Sequence, residues 1–215
     1  FSCQDRRVGI RMEHEYKLVY FNVMGRAEAA RLLFAYKGVK YEDYRFTDGQ
    51  FATVKNTLAF GQVPVLVVDG KPLSQSQAIN RYLGRSFGMA GINDWESAQC
   101  DMYVDGVNDA LNGLVPWFRE QDPEKKKQLL HDVVESTLKP CIARYEGFLA
   151  ANGTGHFVGN TLTWADVVIF GAFSMWQAMN PALTTGHTHV QKFLHDVAAI
   201  PNIKHWLETR PKTSM

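Results

Sequence analysis

Tyr20, Arg26, Pro64 and the pair Gln75-Ser76 are the residues whose types and positions could do chemistry together. Tyr20-Phe21 closes the run YKLVYF. A phenol at the C-terminal end of a strand lies where clefts form in open α/β sheets, so its hydroxyl could reach a ligand. Gly25-Arg26 precedes a helical pattern. An arginine there opposes the helix macrodipole, so a salt bridge or a ligand must account for it. Val63-Pro64 heads the run VPVLVV. Proline cannot donate to a ladder and belongs at a strand's start. A cis bond would turn the Val63 backbone toward the cleft, where it could pair with an extended peptide. Gln75-Ser76 opens another helix; serine is an ordinary N-cap, and the same free N–H groups bind a carboxylate. Each feature also has a plain structural explanation: core aromatics, a surface salt bridge, a strand start, a cap. Together they describe an extended anionic peptide lying across a sheet end. Its carboxylate would sit on the helix at Ser76, its middle would pair with Val63, and its thiol would lie beside Tyr20.

The elements that must position these groups can be read from periodicity. Residues 16–21 and 41–46 read as strands, with a helix over 26–37 between them that Gly38 caps. A short helix over 51–57 is possible. Residues 63–68 form a continuous apolar strand, Asp69-Gly70 a tight turn, and 71–73 the start of a return strand. Residues 76–87 carry Ala78, Ile79, Tyr82 and Leu83 on one face of an amphipathic helix. The order βαβ then ββα predicts a compact α/β unit with a mixed sheet. Past a composition shift at 88–94 only helical patterns remain: 95–119, 124–151, 163–179, 190–199 and 201–208. Pro116 should kink or end the first. Thr163 and Asp166 read as a capping box ahead of an apolar run.

Bulk properties narrow the function classes. The 215 residues carry a formal net charge of +1, with 46% hydrophobic and 21% charged residues, an ordinary globular balance. No dense basic face suggests a nucleic-acid partner; the run 124–127 reads as a solvated helix face. No stretch reaches the ~18 apolar residues a membrane span needs. Cys3, Cys100 and Cys141 are odd in number and widely spaced, which disfavours a disulfide framework or a zinc site and fits a reducing compartment. The pair His187 and His189 reads as a surface loop rather than a metal site. Residues 1–11 are expected to be an extension outside the native fold, with Met12 as the natural start.

The segments YKLVYFNVMGRAEAARLLFAY, FGQVPVLVVDGKPLSQSQAINRYLGRSFG and LTWADV resemble the cytosolic glutathione transferases, with the sigma class as the nearest match. That class includes nematode transferases and haematopoietic prostaglandin D synthases. The similarity runs from Tyr16 to the C-terminus. It implies a thioredoxin-like α/β N-terminal domain over 12–92, an all-α helical domain over 93–215, a cytoplasmic homodimer, and glutathione as co-substrate without a metal. It implies Tyr20 as the catalytic hydroxyl and Arg26 as its support. Phe51, Lys55, Gln62, Val63, Pro64, Gln75 and Ser76 fall at the family's glutathione-binding positions, and Asp109 at that of an aspartate reaching glutathione on the other subunit. Small hydrophobic electrophiles are the expected second substrates, and Val23, Met24, Leu111 and Trp117 are candidates for the wall of their pocket. Conjugation of such electrophiles is the implied activity, with prostaglandin H2 to D2 isomerisation and a non-catalytic ligand carrier or structural protein as alternatives. Three positions depart from the pattern. Phe51 replaces a frequent tryptophan, Gln62 a frequent lysine, and Asn108 one of the synthases' metal-linked aspartates, so weaker glutathione contacts and no divalent-ion activation are expected.

Overall fold

The computed structural model describes residues 14–213. The expected extension over 1–11, Met12 and Cys3 lie outside them. The N-terminal layer is a four-stranded sheet of β1 (Tyr16–Phe21), β2 (Glu42–Phe46), β3 (Val65–Val68) and β4 (Lys71–Ser74), in the order β2-β1-β3-β4. β1 runs parallel to β2 and antiparallel to β3, and β3 antiparallel to β4. Alternation decides the register: Tyr16, Leu18 and Tyr20 of β1 point inward, with Lys17 and Val19 on the other face.

Helices cover this sheet. A 3₁₀ turn, Gly25–Ala27, leads into α1 (Glu28–Lys37), which ends at Gly38 in the left-handed conformation. The short α2 (Gln50–Val54) follows β2, and α3 (Ser76–Ser86) follows β4. The Val63-Pro64 bond is cis, and β3 begins just after it.

From Asp94 onward every regular element among the described residues is helical. α4 (Asp94–Gly113) opens with the Asn93 side chain accepting the Glu96 N–H at 2.9 Å. The single pattern read over 95–119 is two helices, because α4 stops at Gly113 and α5 (Val115–Arg119) restarts with Pro116 in its first turn. The pattern over 124–151 is interrupted as well. α6 (Pro123–Val133) passes through a π turn, Val134–Leu138, into α7 (Lys139–Asn152). Pro140 has no N–H for the Ser136 carbonyl and crowds it, and the wider turn just before absorbs the lost bond. α8 (Trp164–Met179) is the central apolar helix, followed by α9 (Thr188–Ala199) and α10 (Pro201–Thr209). Thr163 and Asp166 form the expected capping box; the buried Asp166 carboxylate accepts the Thr163 N–H at 2.7 Å and the Phe157 N–H at 2.9 Å. α8 packs on α1, α3 and α4, and α10 on α1, so one core runs through both layers.

Candidate active site

Tyr20 is the penultimate residue of β1, its ring buried against the core and the residue 8% exposed. Its hydroxyl is held from the next turn, where the Arg26 N–H donates to Tyr20 Oη at 3.1 Å. A phenol oxygen that accepts there keeps its own proton for another partner. The turn can close this tightly only with glycine before Arg26. Gly25 has φ +40°, and a Cβ there would stand 2.6 Å from Tyr20 Oη.

Register places Pro64 and Gln75 on the same sheet end as Tyr20. Val19 pairs with Val65, and Val65 with Ser74. One step further, Tyr20, Pro64 and Gln75 fall in a single transverse row. Gln75 is held at φ 76°, ψ 116°, a region that costs a non-glycine residue about 1–3 kcal/mol. It is exposed, while Ser76 behind it is buried at the start of α3. The Ser76 hydroxyl makes no hydrogen bond to another described residue. Phe51 on α2 meets the edge of Phe21 at 4.9 Å and is thereby tied to Tyr20's neighbour. Lys55 and Gln62 are exposed on the segment between α2 and β3, and Lys55 has no ion-pair partner among the described residues.

A cavity opens among α1, α3, α4 and α8, beside the turn that holds Tyr20 but with Tyr20 itself outside its lining. Met24, Gly25, Arg26, Ser76 and Leu111 line it, with Val168, Ala172 and Met175 of α8 as its apolar back. Of the four wall residues read from the sequence, Met24 and Leu111 are among those that line this cavity. The other two are not. Val23 packs on the core, and the Trp117 ring lies tilted against Phe118, 4.6 Å between centroids, with Lys126 over its ring. Asp109 is exposed on α4 and away from this cavity within the subunit. Asn108 lines it and accepts from Gln77 Nε2 at 3.4 Å.

Arg26 meets Tyr20 through its main chain. It supports Tyr20 through its backbone N–H, while its guanidinium Nη2 donates to Asn112 Oδ1 at 2.7 Å. The sequence reading missed the α8 wall and a buried charge group on α1. Arg31 is fully buried and pairs with Asp43 and Glu28; Glu28 in turn accepts from Trp206 Nε1 of α10 and from Arg210 Nη1 just past its end. Its signal was available: Glu28 and Arg31 stand three apart on the apolar face of an Ala/Leu-rich helix. Burial pushes the thiols of Cys100 and Cys141 up to about 11, so neither is a nucleophile at neutral pH.

A mixed four-stranded sheet with a tyrosine at the end of β1, covered by a helical layer across a cleft, is the arrangement of a glutathione-dependent transferase. Residues 16–85 match the family model for the glutathione S-transferase N-terminal domain, and residues 108–210 that for the C-terminal domain. The chain is 41% identical over 205 residues to glutathione S-transferase 1 of Ascaris suum, covering 93% of this chain and 98% of that one. It is 36% identical over 200 residues to hematopoietic prostaglandin D synthase of Gallus gallus, with the same coverage. The crystal structure of the glutathione S-transferase from Ascaris lumbricoides superposes with a TM-score of 0.82 at 40% identity, covering 93% and 98% of the two chains. The chain belongs to the glutathione S-transferase family and is a transferase that uses glutathione.

Proposed function

We propose that this enzyme conjugates glutathione to small hydrophobic electrophiles, with Tyr20 as the hydrogen-bond donor to the glutathione sulfur. The observation that carries this reading is the Arg26 N–H bond to Tyr20 Oη, which anchors the oxygen and leaves the phenol proton available. Glutathione would lie along the sheet end. Its γ-glutamyl carboxylate would meet Gln75 and Ser76 at the start of α3, its cysteinyl backbone the Val63-Pro64 segment, and its glycyl end Phe51, Lys55 and Gln62. We assign the cavity lined by Met24 and Leu111 to the electrophile.

The energetics apportion the work. A free thiol with a pKa of about 8.5 is only a few per cent ionised at neutral pH. A hydrogen bond that lowers it by ~2 units is worth roughly 2.7 kcal/mol and raises the thiolate fraction about 10- to 30-fold. Part of this gain is offset because nucleophilicity falls with pKa, with a slope of ~0.4–0.5. Holding the electrophile beside sulfur in a dry cavity must supply the remainder.

We further assign the chain to the sigma class, divide it into a glutathione-binding domain over 12–92 and a helical domain over 93–215, and place it in the cytoplasm, where its free cysteines stay reduced. We infer a homodimer in which Asp109 reaches glutathione on the other subunit; sedimentation as one 24.3 kDa chain would contradict it. No helix among the described residues is long and apolar enough to cross a membrane. The relatives named prostaglandin D synthase favour a second reading, isomerisation of prostaglandin H2 on the same Tyr20 chemistry.

The test is retention on a glutathione-affinity column followed by conjugation of a general aryl halide. Retention with turnover is expected. Retention without turnover would favour a ligand carrier instead, and formation of prostaglandin D2 from prostaglandin H2 would add the second activity.

A further inference from the structure

We infer that Arg31 is a positioning residue for the Tyr20 hydroxyl, acting through the backbone of the turn that carries Gly25 and Arg26. This rests on the Tyr20 reading. Arg31 Nη1 donates to the Val23 carbonyl at 2.8 Å and the Met24 carbonyl at 3.3 Å. These are the two residues before Gly25, and the next N–H in the chain after Gly25 is the one that holds Tyr20 Oη. The guanidinium also lies over the Tyr20 ring, 5.9 Å from its centroid. Arg31 therefore grips both the ring and the turn that anchors its oxygen.

Arg31 is itself fixed from two sides. Nε donates to Asp43 Oδ1 of β2 at 3.1 Å, and Nη1 reaches Glu28 Oε2 at 3.4 Å. Glu28 Oε1 accepts from Trp206 Nε1 at 2.9 Å and Arg210 Nη1 at 2.7 Å. A chain of polar contacts thus runs from α10 through Glu28 and Arg31 to the catalytic turn.

Stability alone is a poor reason for this arrangement. Burying an ion pair costs several kcal/mol per charge, and well-packed apolar substitutes are often as stable or more so. Arg31 moreover leaves Nη2 buried with no hydrogen-bond partner. An apolar side chain could fill the same space, but it could not hold two carbonyls. Lysine would retain the charge and lose the planar fork that reaches carbonyls and carboxylates together.

The experiment follows thiolate absorbance of the enzyme–glutathione complex against pH, with kcat and KM for glutathione, in Arg31→Lys, Glu28→Gln and Tyr20→Phe. Arg81→Gln serves as a control, since its ion pair with Asp101 joins α3 to α4 without touching the turn. Arg31→Lys is expected to raise the bound thiol's pKa by about one unit and lower kcat about tenfold, with KM within about twofold. Glu28→Gln should raise the same pKa by about 0.3–0.5 units and lower kcat about two- to threefold, and it carries the test if Arg31→Lys does not fold. Arg81→Gln should leave the titration in place. A titration moved by Tyr20→Phe but by neither Arg31→Lys nor Glu28→Gln would overturn this inference alone. One unmoved by Tyr20→Phe would overturn the Tyr20 reading and this inference with it.

Discussion

Gly25 decides how closely the chain can wrap the Tyr20 hydroxyl. Its positive φ and the 2.6 Å approach of a Cβ to Tyr20 Oη act together. Gly25→Ala should therefore displace the ring or open the turn, at a cost of about 1–3 kcal/mol in stability. Turnover should drop about tenfold or more, because a phenol moved by ~1 Å no longer points at sulfur. Steady-state kinetics beside urea unfolding check this; a variant with native kcat would contradict it. Tyr20 itself was legible because strand alternation and position at a sheet end are local properties. Arg26 was legible as a residue, but not the atom through which it meets Tyr20. Its backbone N–H is fixed by the helix start, whereas a long flexible side chain could have gone anywhere and bonds Asn112 instead. Arg31 escaped notice because an arginine in a helix is ordinarily a surface residue.

Among the elements, β1 appears with the bounds the apolar run implied, and α8 with the cap that Thr163 and Asp166 implied. Both signals lie within a few residues. The π turn before α7 had a local signal too, Pro140, but the continuous amphipathic pattern on either side masked it. The start of α9 shows what no local pattern carries. His187 gives it no side-chain cap. Glu146 of α7 does so instead, accepting the His189 N–H at 3.0 Å and the Val190 N–H at 2.8 Å, with His189 Nδ1 at 2.8 Å. Burial alone would raise the Glu146 carboxyl, but these bonds outweigh it and hold the group below its ordinary 4.5. A carboxyl with a depressed native pKa binds protons less readily than in the unfolded chain. Its contribution is complete above about 4.5 and is lost as pH falls through the lower native value. Glu146→Gln should flatten that acid limb of the stability curve and cost about 1 kcal/mol at neutral pH, the worth of a helix cap. Urea unfolding from pH 3 to 7 measures both; an unchanged acid limb would contradict the assignment.

On the scale of the whole molecule, the site exists because two layers meet closely. Gly84 of α3 lies against Trp164 of α8, and a Cβ there would stand 2.5 Å from the indole Cγ. The Trp164 backbone N–H donates to the Met89 carbonyl at 2.9 Å, and Arg81 lies over the indole at 5.7 Å. Gly84→Ala should push the layers apart and cost about 1–3 kcal/mol, the usual penalty for overpacking a tight core. A thermal midpoint equal to the native protein's would contradict this. The order of strands and helices was readable along the chain, and so was the division into a sheet layer and a helical layer. The cavity wall was only half readable: Met24 and Leu111 line it, whereas Val168, Ala172 and Met175 come from a helix whose facing depends on packing between the layers. The proposed function depends on one hydrogen bond, donated by the Tyr20 hydroxyl to the sulfur of glutathione. Thiolate absorbance of the glutathione complex, titrated in the native enzyme and in Tyr20→Phe, tests that most directly. The native complex should titrate ~2 units below the ordinary 8.5, and the variant close to 8.5 while still binding glutathione. Coincident titrations in the two proteins would contradict it.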